Sequence, residues 1–181
     1  VLRNTPIESR FNTAAFGLLG YELDFRKLSK VEQRMVAKQI AWYKEWREVL
    51  QFGEFHRLLD PAGGQHAAWL AIDRDRKRGV FGWFQKLASP NRLANRVRLE
   101  GLDAESLYRL QSRTQYVDIR QYGELVNQLI PVRLKINGVI HNLVADNYLQ
   151  RQEDTLVTAG GDQLMHKGFL MKRQFHGTGN G

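Results

Sequence analysis

The chain has 181 residues, no cysteine and a formal net charge of +8, from 27 Lys+Arg against 19 Asp+Glu. Without cysteine there are no disulfides, no thiolate metal site and no cysteine nucleophile, and no run of about 18 apolar residues is present to span a membrane. Hydrophobic residues at 43% and aromatics at 10% are ample for a packed core, so one domain, or a small domain with an appendage, is expected. The composition fits a cytoplasmic setting, and the first residues, VLRNTPIESR, lack the apolar core of a signal peptide.

Thr5, Pro6 and Glu8 have the spacing of a helix start: a capping threonine, proline at the first helical position, and a carboxylate able to reach back to the cap. The predicted helix runs from Thr5 to about Phe16, with Ile7, Phe11, Ala14 and Ala15 inward and Gly17 and Gly20 closing it. Tyr21 to Phe25, within GLLGYELDF, is expected as a short buried strand. Ser29 and Glu32 repeat the capping pattern and open a second helix reaching about Leu50. Val31, Met35, Trp42, Trp46 and Val49 form one apolar stripe, widened by Val36, Ile40, Tyr43 and Leu50. So broad a face predicts contact with more than one layer, with Trp46 buried. One strand between two helices leaves strand edges and helix faces unpartnered, which points to the tail of an α/β layer fold completed by further polypeptide.

From Phe52 the apolar period changes from 3.6 towards 2, placing a boundary near Gln51 to Gly53. EFHRLL, AAWLAID, GVFGWFQKL, RVRLEG and LYRLQSRT read as short strands, and DPAGGQ, RDRKR and SPNRLAN as turns, the pattern of an antiparallel β-sandwich. Further on, DIRQYGELVNQLI predicts a short helix from Asp118, while PVRLKI, VIHNLVA and TLVTAGG return to strand, with a tight turn at Gly138. The final FHGTGNG is glycine-rich and polar.

Chemistry-bearing patterns are sparse. Arg74, Arg76, Lys77 and Arg78 alternate with Asp73 and Asp75, which reads as a solvated hairpin turn rather than a phosphate site. His56, His66, His141, His166 and His176 show no metal-ligand spacing. Ser9 and Ser29 lie in or at helix starts, outside any nucleophile elbow, and FHGTGNG lacks the lysine and helix of a phosphate loop. Glu22 and Asp24 share one face of the expected strand, where paired carboxylates would suit glycoside hydrolysis. The competing reading pairs Glu22 with a basic neighbour and spends Asp24 on the loop before the second helix.

ESRFNTAAFGLLGYELDFRKLS, QIAWYKEWREVLQFGEFHRLL, GLDAESLYRL, YVDIRQYGELVN and LMHKGFLMKRQFHGTG together resemble the C-terminal part of bacterial α-galactosidases of glycoside hydrolase family 36. The resemblance covers nearly the whole chain. It implies an α+β chain: the last helix–strand–helix of a (β/α)8 catalytic barrel over residues 1–52, then an antiparallel β-sandwich domain over residues 53–181. It also implies a retaining hydrolase of terminal α-galactosides such as raffinose and melibiose, its catalytic aspartates lying before Val1. No catalytic, cofactor or metal residue is therefore assigned here, and the chain alone is expected to be inactive. The expected partners are an oligosaccharide and further copies of the parent protein, with no nucleic acid and no membrane. The alternative is a non-catalytic carbohydrate-binding β-sandwich that stacks sugars on Trp69, Phe81, Trp83 or Phe84. If the face shared by Phe81 and Trp83 packs on other structure, that alternative loses its platform.

Overall fold

The computed structural model describes residues 5–86, 95–120, 122, 127, 135, 138–148, 150, 151 and 154–171. It is a mixed α+β fold, and among the described residues every sheet is antiparallel. SPNRLAN, PVRLKI, FHGTGNG and most of DIRQYGELVNQLI lie wholly or largely outside the described residues.

Helix α1 spans Ile7–Ala14 and buries Ile7, Glu8 and Phe11. It is preceded by Pro6, and no side chain caps it, so the expected Thr5–Glu8 capping box does not form. Glu8 is drawn instead into a buried ionic contact, described below. Residues 17–24 form an irregular segment ending in a 3-10 turn over Phe25–Lys27. The buried strand expected at Tyr21 to Phe25 is therefore absent. A strand exists only as part of a hydrogen-bonded ladder, and no described strand pairs with this segment.

Helix α2 runs over Lys30–Phe52. It begins with the expected capping box: Ser29 Oγ accepts from the Glu32 amide at 3.2 Å, and the Glu32 carboxylate accepts from the Ser29 amide at 2.9 Å. It ends at Gly53, which hands the chain to β1 (Glu54–Leu59), close to the expected change of period. Two clusters use the broad face of α2. Val31, Met35 and Val36 pack with Ile7, while Tyr43, Val49 and Leu50 pack with Phe11, Ala15, Ala71 and Val80. Trp46 lies beside the second cluster only half-buried, where full burial was expected.

Strands β1, β2 (His66–Ile72) and β3 (Gly79–Gln85) form a three-stranded sheet in that order. The register sets Leu70 opposite Phe81 and Trp69 opposite Gly82, with a bulge between Arg57 and Leu59. Alternation then splits the sheet. Ala71 and Val80 face the helices, whereas Leu70, Ile72, Phe81 and Trp83 face a second core with Val97, Leu99, Leu102, Ala159, Leu164 and Phe169. That core is closed by ladders of β4 (Arg96–Val97) with β9 (Phe169–Leu170) and of β5 (Leu107–Gln111) with β8 (Leu156–Gly160), and by α4 (Gly161–His166). Gly168 joins α4 to β9 at φ +68°, where a Cβ would stand 2.1 Å from the Val97 carbonyl oxygen, so both its conformation and the close approach require glycine. The last ladder pairs β6 (Tyr116–Val117) with β7 (Gln150–Arg151).

VIHNLVA, expected as a strand, is instead the helix α3 (Val139–Asn147), with Gly138 as its N-terminal flank. The turn at Gly138 is present, its amide donating to the Lys135 carbonyl at 2.8 Å. A run of seven residues, three of them β-branched, does not distinguish buried strand from helix by period alone. Packing against α2 decides it: His141 and Ala145, one turn apart, are fully buried.

Candidate functional site

The most buried polar constellation lies where α1, α2 and the segment after β5 meet. Glu8 is 6% exposed. It accepts from the Arg113 guanidinium at 2.5 Å, from Gln39 Nε2 at 3.0 Å and from the Tyr116 amide at 3.4 Å. Arg113 also donates to Asn12 Oδ1 at 2.9 Å, and Asn12 Nδ2 donates to Gln115 Oε1 at 2.8 Å. The guanidinium carbon stands 4.8 Å from the centroid of Phe11 and 5.8 Å from that of Trp42. On the far side, the Tyr21 hydroxyl donates to Gln39 Oε1 at 2.8 Å. Burial, reinforced by the nearby Glu8 charge and opposed by Arg113, pushes the Tyr21 phenol up to about 12. The ion pair is thus satisfied on several sides, as a buried charge must be. Chemically it holds one geometry, and its ionic and amide groups are turned on each other rather than on open space.

The two candidate carboxylates do not join this cluster. Glu22 is exposed. Asp24 accepts from Arg26 Nε at 2.9 Å and from the Arg26 amide at 3.1 Å. The Arg26 guanidinium, then its amide, hold the Asp24 carboxyl below the usual carboxylate range. An ionised carboxylate that starts the 3-10 turn before α2 is the loop role weighed for Asp24 above, and the opposite of a protonated general acid.

The aromatic residues are committed to packing. Phe81 meets Phe169 edge-on with centroids 5.5 Å apart, and Trp83 lies against His66 at 4.7 Å. The Phe81–Trp83 face is therefore part of the second core, and the sugar-stacking alternative loses that platform. Trp69 and Phe84 form a cluster with Phe55 and Phe16 on the helix side. Phe16 stands over Gly82, where a Cβ would be 2.6 Å from its ring. Trp42 stacks on Trp46 at 6.1 Å, and the Arg78 guanidinium covers Trp46 at 4.6 Å.

The histidines are scattered. His56 lies between Glu54 and Glu100, His66 and His141 are buried, and His166 is exposed at the end of α4. His176 lies outside the described residues. Among the described residues no three His, Cys, Asp or Glu side chains could hold a metal ion. The basic turn is the hairpin expected: Asp73 Oδ1 accepts from the Lys77 and Arg78 amides at 2.8 and 3.1 Å. Ser29 caps α2, and Ser9 is exposed on α1. Among the described residues no helix is long and apolar enough to cross a membrane.

Sequence reasoning missed Glu8, Gln39 and Arg113 as a unit. Gln39 carried a signal, a lone polar side chain one turn after Met35 inside the apolar stripe of α2. Arg113 carried none.

Comparison with known proteins places these features in a family. Residues 66–179 match the model of the glycosyl hydrolase family 36 C-terminal domain. The chain belongs to glycosyl hydrolase family 36. Residues 1–53 match the melibiase model. Among curated family 36 relatives, α-galactosidase AgaA of Geobacillus stearothermophilus is 38% identical over 114 residues, 63% of this chain and 16% of its own length. α-Galactosidase Mel36A of Lactobacillus acidophilus is 37% identical over 107 residues, 59% of this chain and 14% of its own length. The solved structure of a G. stearothermophilus AgaA variant with raffinose superposes on 94% of this chain at 27% identity and a TM-score of 0.67. AgaB from the same organism matches 97% at 28% identity and a TM-score of 0.68. The chain spans 18% of each of those solved family members.

Proposed function

We propose that this chain is part of a retaining α-galactosidase that hydrolyses terminal α-galactosides of oligosaccharides such as raffinose and melibiose. In this reading residues 1–52 form the end of the (β/α)8 catalytic barrel and residues 53–181 the C-terminal antiparallel β-sandwich. The observation that carries it is the match over 94% of the chain to AgaA, solved with raffinose bound. The catalytic carboxylates belong to polypeptide outside this chain. Retaining hydrolysis needs a nucleophile and an acid about 5 Å apart across the scissile bond. Glu22 is exposed and Asp24 is held ionised by Arg26, so neither offers that pair. The β-layers buttress the barrel end and contribute to self-association of the parent protein. A bacterial, cytoplasmic setting belongs to the same proposal, supported by the cysteine-free composition and the bacterial relatives.

The test grafts residues 5–171 in place of the matching segment of AgaA and assays an aryl α-galactoside, with the 181-residue chain alone assayed beside it. The graft should turn over and the chain alone should not. A folded graft that is inactive on α-galactosides but active on another glycoside would refute the substrate class. Turnover by the chain alone, abolished by Asp24→Asn, would place the catalytic carboxylates within it.

A further inference from the structure

We draw no further inference here: the strongest candidate, the apolar outer stripe of helix α3 formed by the exposed side chains of Val139, Ile140, Leu143 and Val144, carries nothing because nothing in the structure shows what covers it.

Discussion

Arg113→Met tests whether the buried ion pair holds the helices to the β-layers. In the native protein the Arg113 side chain is 11% exposed and that of Glu8 8%. Methionine keeps much of the apolar packing over Phe11 and Trp42 but removes the charge. Glu8 is then left with Gln39 Nε2 at 3.0 Å and the more distant Tyr116 amide at 3.4 Å. Two neutral donors do not replace a guanidinium in a site that excludes water. Breaking a buried pair from one side costs about 3–5 kcal/mol, because the remaining charge is buried and uncompensated. For a chain of this size that corresponds to a melting temperature lower by roughly 10 °C. The measurement is urea and thermal denaturation followed by circular dichroism at pH 7. The double variant Glu8→Leu, Arg113→Met removes both charges and should return to within about 2 kcal/mol of the native protein. A single-variant loss below about 1 kcal/mol, or a double variant no more stable than the single one, would refute the reasoning and show the pair to be solvated in solution.

Two further outcomes follow from the same region. Tyr21 should make stability fall at high pH. Its folded value of about 12 lies above the ordinary 10.0, so its contribution is fully present below pH 10 and is lost as pH rises through 10 towards 12. The native chain should therefore lose stability more steeply than Tyr21→Phe in that window, and parallel curves from denaturant titrations would contradict it. Trp46→Ala should cost about 2–3 kcal/mol, less than a fully buried tryptophan, because Trp46 is half-buried between Trp42 and the Arg78 guanidinium. A loss under 1 kcal/mol in a urea titration would mean that the stacked pair is open to solvent.

Local chemistry made several elements legible. The Ser29–Glu32 box and the apolar stripe specify α2 from neighbouring residues alone, and alternation with turn residues specifies β1, β2 and β3. Thr5, Pro6 and Glu8 show where local rules stop. The same residues would cap a helix in isolation, but Arg113 offers Glu8 a charged partner, and a charge-assisted bond outweighs a backbone cap. GLLGYELDF failed for a related reason, since its composition suits a strand but a strand needs a neighbour to pair with. VIHNLVA failed because seven residues fit either period, and only contact with α2 selects the helix. The loop role of Asp24 was one of the two readings the sequence left open, and Arg26, two residues on, supplies the partner that the reading did not name.

The change of period near Gly53 is a boundary in sequence but not in packing. Phe11 and Ala15 from α1 and Tyr43, Val49 and Leu50 from α2 share one apolar cluster with Ala71 and Val80 of the central sheet. Glu8 and Arg113, 105 positions apart, close the same seam with charge. Tyr21, Gln39 and Glu8 then carry that seam to the irregular segment before α2. Residues 17–24 have no ladder of their own, so the Tyr21 bond to Gln39, the Tyr43 hydroxyl donating to the Gly17 carbonyl at 3.4 Å, and the packing of Leu19 and Tyr21 fix much of their position. This loop is thus tied to α2 by Tyr43 and Gln39, and to the β-layers through Tyr21, Gln39, Glu8 and Arg113.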